Sequence, residues 1–304
     1  MKSVLQNTIY LHNFVPIDID IKEQLTKMKK YISLLGCIIL VAISIRIFLG
    51  QPCYIPSASM ENTLWEGDYV WLNKAAYGAI LPKRFADIPI FNVFTWIKPL
   101  RELDARIDWG TSRMPEWHKP RRFDIAVFYS QEMPGVLLVK RMIGLPGDTV
   151  CLKQGDLYIN NKQVKQPKNV IKIRNGNPVK FPENTSWTTL DYGPILIPQK
   201  GMALELTAEN FSWIKNVAQK EGVSLTLQNG EFYSNNTPVN QYMFKSNYYF
   251  MMGDNRNNSI DSRFWGFVPE EDLVGTINFV FFSLDFSTWP GFSFRSKHFM
   301  RYVD

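Results

Sequence analysis

Between Tyr31 and Leu49 the chain runs for 19 residues with a single charge, Arg46. As a helix, such a run rises about 28 Å, close to the roughly 30 Å thickness of a bilayer's hydrocarbon core. It is the one apolar stretch of membrane length in the sequence. Arg46 stands near its far end, where a long side chain can reach the polar interface. Lys27, Lys29 and Lys30 precede the run. Basic flanks stay on the cytoplasmic side, so residues 1–30 are expected in the cytoplasm and everything after residue 50 outside. A cleaved secretory leader has similar parts: a basic flank, an apolar core and a small-x-small triplet, here Ser57-Ala58-Ser59. Against cleavage, the run exceeds a leader's apolar core, the triplet lies ten residues beyond Leu49, and thirty residues precede Tyr31. The expectation is an uncleaved anchor over 31–49.

Beyond the anchor the patterning is mostly β. Asp124–Tyr129 and Val136–Ile143 are strand-like runs punctuated by Pro134-Gly135 and Pro146-Gly147. Gly155-Asp156-Leu157-Tyr158-Ile159-Asn160-Asn161 matches Gly230-Glu231-Phe232-Tyr233-Ser234-Asn235-Asn236, and each reads as a hairpin turning at the glycine. A small internal duplication and convergent turn chemistry explain this equally well. Thr207 is the expected N-cap of a helix with Phe211, Ile214, Val217 and Ala218 on one face, ending before Gly222. The fold class expected is therefore mostly β: a single N-terminal transmembrane helix, then an antiparallel, barrel-like β catalytic core. That core takes residues 50–151 and 246–304. It is interrupted by an irregular insertion, rich in Trp, Pro and charge, at 73–122, and by an inserted β-rich subdomain at 152–245.

Charge and cysteine exclude several classes. The net charge of +6 is modest for 304 residues. It gathers near the anchor, at Lys119-Pro120-Arg121-Arg122 and in the tail at Arg295, Lys297 and Arg301. That distribution suits anionic lipid and topology, and no nucleic-acid motif accompanies it. Three scattered cysteines, Cys37, Cys53 and Cys151, form neither a zinc pattern nor a disulfide framework. No metal and no cofactor is expected.

Three segments carry chemistry. Ile55–Leu64 places two serines, Ser57 and Ser59, with one small residue between them after the stiff Pro56. A hydroxyl and a backbone N–H held side by side are the parts of a nucleophile with an oxyanion donor. In Val136–Asp148, a strand puts Leu138, Lys140 and Met142 on one face. If that face is buried, Lys140 loses solvation, which penalises its charged form and yields an amine able to take a proton from a serine. Gly253–Gly266 follows the aromatic run Tyr248–Met252 and is dense in polar groups of fixed shape. There, Ser259 could orient an amine, and Asp261 with Arg263 could form a planar charge-assisted pair that pins the loop.

Together these segments resemble bacterial type I signal peptidases, the membrane-anchored Ser/Lys endopeptidases. The resemblance follows the order of the whole chain: anchor, Pro56-Ser57-Ala58-Ser59-Met60, Gly67-Asp68-Tyr69, Lys140-Arg141 with Gly144–Asp148, then Gly253-Asp254-Asn255-Arg256 through Arg263. It implies Ser59 as nucleophile, Lys140 as general base, and Ser57 with the Ser59 amide as oxyanion hole. It further implies Ser259 as the residue orienting Lys140, supported by Asp261 and Arg263. The substrates implied are signal-peptide-bearing preproteins cut after small residues at −1 and −3. The lipid bilayer and the secretion translocon are the other implied partners, with the catalytic domain on the outer face of the bacterial inner membrane. Asn257 stands where the family often has Asp, and Ala58 where it often has Gly; only local tuning is expected from either.

Rival readings are weaker. The histidines are His12, His118 and His298. None lies in a nucleophile elbow, and no G-x-S-x-G occurs. The S-x-x-K pattern of β-lactamase-like enzymes fails at Ser59, where Asn62 takes the lysine's place. A catalytically inactive, membrane-anchored β-domain that binds envelope or secreted proteins is the alternative of another class.

Overall fold

The computed structural model describes residues 17–285 and 291–303. The first 16 residues of the expected cytoplasmic segment, with His12, lie outside the described residues. Contacts divide the chain into two compact units, residues 1–45 and 46–304.

In the first unit, helix α1 spans Ile17–Ser44, so the helix begins well before the apolar run. The stretch Lys22–Leu49 is long and apolar enough to cross a membrane and has no buried residue in its most apolar window. Leu35, Ile38 and Leu40 are exposed.

The second unit is built on an antiparallel sheet. β1 (Gly50–Tyr54) pairs with β2 (Asp68–Asn73), from Gly50 opposite Asn73 to Tyr54 opposite Tyr69. The turn they enclose carries both serines. A short helix α2 (Lys98–Asp104) lies in the insertion that follows. β3 (Ile125–Tyr129) and β4 (Leu137–Gly144) form a hairpin that sets Ala126 opposite Lys140. β5 (Thr149–Lys153), β6 (Asp156–Ile159), β7 (Lys162–Gln163) and β8 (Tyr192–Leu196) make a separate sheet in the order β7-β6-β5-β8. β9 (Ala203–Glu205) leads to helix α3 (Phe211–Lys220). Next come β10 (Leu225–Gln228), β11 (Glu231–Ser234), β12 (Thr237–Pro238) and β13 (Gln241–Met243). β14 (Tyr248–Met252) returns to the main sheet and pairs with β4. After the one-turn helix α4 (Ser262–Trp265) come β15 (Val268–Pro269) and the 13-residue β16 (Leu273–Asp285). The main sheet runs β1-β2-β16-β3-β4-β14-β15. Register shifts interrupt the β16–β2, β16–β3 and β14–β4 ladders, and such bulges sharpen twist, curling the sheet into a half-barrel. Two short strands, β17 (Ser293–Phe294) and β18 (Arg301–Tyr302), lie back on β16.

Both hairpins read from the repeat are present. Gln154-Gly155 and Asn229-Gly230 turn with positive φ at both residues, and Asn160-Asn161 and Asn235-Asn236 do the same one strand later. Asn and Gly are the residues that enter this left-handed region at least cost. The helix cap differs from expectation. Asn210, not Thr207, is the N-cap of α3. Thr207 Oγ1 accepts from Asn210 N–H (3.3 Å) and Asn210 Oδ1 accepts from Thr207 N–H (2.9 Å), so the two residues close a turn before the helix proper. Trp213, Ile214, Val217 and Ala218 are its buried face. They join one apolar cluster with Ile143, Phe250 and Phe267, so the segment 152–245 packs directly against the back of the main sheet.

The chain's end braces its beginning. Arg301 donates to the Thr63 carbonyl (2.6 Å), Arg295 to the Glu66 carbonyl (2.6 Å), and the His298 ring meets the Asp68 carboxyl at 3.0 Å. The first two contacts fall on the turn between β1 and β2, the third on the first residue of β2.

Candidate active site

Ser59 sits in a single 3-10 turn, Ala58–Met60, entered from extended backbone at Ser57. Met60 and Leu64 bury their side chains beneath this turn, while Ser57 is exposed and Ser59 half-buried. The turn thus offers its serines upward from an apolar footing. The two hydroxyls lie 3.4 Å apart.

Lys140 comes from the middle of β4, with Leu138 and Met142 in one apolar cluster and Val139 in another, as strand alternation requires. Lys140 is 5% exposed. Its Nζ donates to Ser59 Oγ at 2.8 Å and to the Val139 carbonyl at 3.2 Å. Burial pushes the amine below the ordinary lysine range, and the carboxylates of Asp261 and Asp254 pull weakly the other way.

Each of those carboxylates is already held by an arginine. Asp261 takes Nε and a terminal nitrogen of Arg263, both at 2.8 Å, and also accepts the Gly253 N–H at 3.1 Å. Burial alone would raise its pKa, but the Arg263 pair and the Gly253 amide outweigh burial and hold Asp261 below the usual carboxylate range. Asp254 takes Nε and a terminal nitrogen of Arg141 at 2.8 and 2.7 Å, and Thr63 donates its hydroxyl to the same carboxyl. Both pairs are fully enclosed. Two bidentate pairs therefore balance the negative charge beside a lysine that burial keeps toward neutrality.

The loop after β14 also holds the serine turn directly. Asn255 N–H donates to the Ser59 carbonyl (3.1 Å), and its side chain donates to Ala58 O (3.3 Å) and Glu61 Oε2 (3.0 Å). Gly253 is the closest point of approach. A Cβ there would lie 2.5 Å from the Ser59 carbonyl oxygen and 2.3 Å from Ser259 Oγ. Gly253→Ala should therefore move the serine turn. With about a 1 Å misplacement, kcat for any reaction at Ser59 should fall about 10²-fold, with an unchanged circular-dichroism spectrum. An undiminished kcat would mean that the loop gives way elsewhere.

The structure thus brings Ser57, Ser59 and Lys140 together, with Asp261 and Arg263 behind them. It places Ser259 beside Gly253 but gives it no hydrogen bond to Lys140. The Ser259 hydroxyl is buried beside Asp261 and helps hold that carboxylate ionised. Asn257 has a use that Asp could not serve. Its Nδ2 donates to Lys172 O and its Oδ1 accepts from Arg174 N–H, both at 3.0 Å. The sequence assigns no role to Thr63, Arg141, Asp254 or Asn255. One signal pointed to a partner for Arg141: a second charge in a strand whose neighbours Met142 and Ile143 must be buried requires a carboxylate. Among the described residues no group of His, Cys, Asp and Glu could hold a metal ion.

Residues 28–282 match the family described as signal peptidase, peptidase S26. The chain is 28% identical over 312 residues to the signal peptidase I of Buchnera aphidicola subsp. Acyrthosiphon pisum, across 95% of this chain and 85% of that protein. It is 30% identical over 257 residues to the signal peptidase I of Helicobacter pylori strain 26695, across 83% and 81%. To that of Haemophilus influenzae it is 29% identical over 288 residues, across 90% and 76%.

Proposed function

Because this chain belongs to the signal peptidase family of S26 peptidases, we propose that Ser59 is its nucleophile and Lys140 its general base. The chain is a serine endopeptidase that removes signal peptides. The observation that carries the assignment is the 2.8 Å contact between Lys140 Nζ and Ser59 Oγ, with the lysine enclosed. A domain built only to bind would have no use for it.

The reaction follows from that contact. Neutral Lys140 takes the Ser59 proton as Oγ attacks the scissile carbonyl. The developing oxyanion is met by the Ser59 N–H and the Ser57 hydroxyl, which stands 3.4 Å from the attacking oxygen. The ammonium formed keeps its bond to the Val139 carbonyl, and the buried Ser259 hydroxyl is assigned to orient it. Lys140 then protonates the leaving amine. Water, activated by the same lysine, releases the acyl-enzyme. Ser57→Ala should lower kcat by about 10²–10³ with little change in KM, the cost of one oxyanion donor. Equal losses in kcat for Ser57→Ala and Ser59→Ala would instead make Ser57 part of the nucleophile.

The proposed location is the bacterial inner membrane, N-terminus inside and residues 50–304 outside. Lys27, Lys29 and Lys30 before the apolar run support that orientation. Ten residues from Leu49 to Ser59 reach at most about 36 Å even if extended, which tethers the serine near the outer surface. Preproteins arriving from the secretion translocon, cut after small residues at −1 and −3, are the proposed substrates. Cleavage of a reporter preprotein by wild type and Ser59→Ala in lipid, with mass analysis of the cut, tests this. A cut after a small residue that Ser59→Ala cannot make is expected; an unaffected cut overturns it.

A further inference from the structure

Residues 165–180 contain Lys165, Lys168, Lys172, Arg174 and Lys180 and no acidic residue. All five cations are exposed, and among the described residues none of them is ion-paired. Folded surfaces ordinarily mix the two signs of charge, and a run of one sign is ordinarily a loose, solvated tail. This run is held in place. Val164, Ile173 and Val179 pack against the apolar cluster that contains Phe250 and Phe267, which leaves Lys172, Arg174 and Lys180 facing out. Its backbone is bonded to the loop after β14 at three points. Ile171 N–H donates to the Asp254 carbonyl (2.8 Å), and Phe181 N–H donates to the Arg263 carbonyl (3.1 Å). Between them the Asn257 side chain spans Lys172 O and Arg174 N–H. The result is a rigid cationic strap on the loop that steadies the serine turn.

Strand β4 gives the direction in which a substrate would pass it. Leu137, the first residue of β4, lines a cavity of about 670 Å³ together with Arg46 and Gln51. Three residues on, Lys140 meets Ser59. One residue further, Arg141 pairs with Met252, where β14 opens into the loop from Gly253 to Arg263. A preprotein whose apolar leader lies toward Arg46 and whose scissile bond is at Ser59 thus sends its mature segment toward that loop and the strap. Asn255 links the two, because it donates to the Ser59 carbonyl and stands opposite Ile171. Paired backbones stand about 4.8 Å apart, inside the roughly 8 Å over which charges act in physiological salt. A lipid surface is the poorer fit. Residues 165–180 contain no Trp, Tyr or Phe, the rings that settle at headgroup level.

We propose that this strap reads the charge of the mature segment, capturing acidic side chains just after the cut and turning basic ones away. The proposal rests on reading Ser59 and Lys140 as the cutting centre, and it adds a selection on the far side of the bond from −1 and −3. Because the cations are exposed, the selection acts on capture more than on the chemical step, and salt weakens it.

The test uses the full chain in a neutral detergent and three preproteins identical except for the second to fourth residues after the cut, which are all Asp, all Gln or all Lys. At low salt, kcat/KM should fall in that order, by about 10-fold from first to last, with kcat nearly constant. In about 0.5 M salt the spread should shrink toward one. Lys172→Glu/Arg174→Glu should invert the order, which a merely structural strap would not do. Lys200→Glu/Lys215→Glu alters the net charge equally at two exposed sites outside the strap and should keep the wild-type order. An order that survives reversal of the strap overturns the proposal, including the case where reversal only weakens binding to phosphatidylglycerol vesicles, which would assign the cations to lipid. An order that both double variants shift alike overturns it too, since net charge would then suffice. Equal cleavage of all three preproteins by wild type removes the strap's role alone. Cleavage of none removes the reading of Ser59 and Lys140 along with it.

Discussion

Arginine at position 140 should leave the protein as inactive as alanine does, with kcat for preprotein cleavage down by about 10²–10⁴ or more in each. Arginine keeps the positive charge and the length that a merely structural lysine would supply. It cannot give up a proton at any usable pH, because its guanidinium stays charged above pH 12. The loss would therefore report the proton rather than the charge. In the wild type, burial lowers the Lys140 pKa, and the active form is the neutral amine. Below that lowered pKa, log(kcat/KM) should climb by one unit per pH unit and then level off at a pH short of the ordinary lysine range, about 10.4. Measurable turnover by Lys140→Arg, or a rate that falls as pH rises through this limb, would overturn the base assignment.

Removing Arg141 is the largest expected effect on stability. The Arg141–Asp254 pair has no solvent exposure on either side. Arg141→Met would strand a buried carboxylate, at a cost of about 3–5 kcal/mol. At roughly 2–4 °C per kcal/mol for a unit of this size, the melting temperature should fall by about 10 °C in detergent. The double variant Arg141→Met/Asp254→Leu removes both charges and should recover most of that fall, because the lone charge is what costs. The surviving activity of Arg141→Met carries a second signature. With Arg141 gone, Asp254 exerts its full field on Lys140, the ammonium is favoured, and the acid limb should move to higher pH. A stable single variant with an unmoved limb would mean that Asp254 takes up a proton or another donor instead.

Much of this centre is legible in the sequence because its parts are local. Alternation in Val136–Ile143 puts Lys140 between Leu138 and Met142, and the folded strand keeps that alternation. Pro56 before two spaced serines marks a stiff turn, and the turn is there. Asp261 and Arg263, two residues apart, pair as their spacing allows. What local pattern does not carry is the choice of distant partners. Arg141 and Asp254 lie 113 residues apart, and Thr63 and Asp254 lie 191 apart. Thr63 reads simply as a residue of a turn. Strand alternation likewise does not announce that Lys140 donates to the carbonyl of its own neighbour, Val139. At α3 the helix starts after Asn210, yet the Thr207 hydroxyl still accepts from the Asn210 N–H and its carbonyl from the Phe211 N–H, so the capping signal is displaced by one turn only in the boundary.

The brace that Arg295, His298 and Arg301 place on the β1–β2 turn bears on the order in which the enzyme is made. A ribosome delivers Ser59 soon after the apolar helix, Lys140 later, and the loop from Gly253 to Arg263 later still. The residues that steady the serine turn come almost last. On the proposed assignments, a growing chain therefore holds the serine before the lysine, and both before the segment that folds back on β16. A cutting centre built on these roles depends on segments 238 residues apart in sequence, Thr63 to Arg301, meeting in one fold.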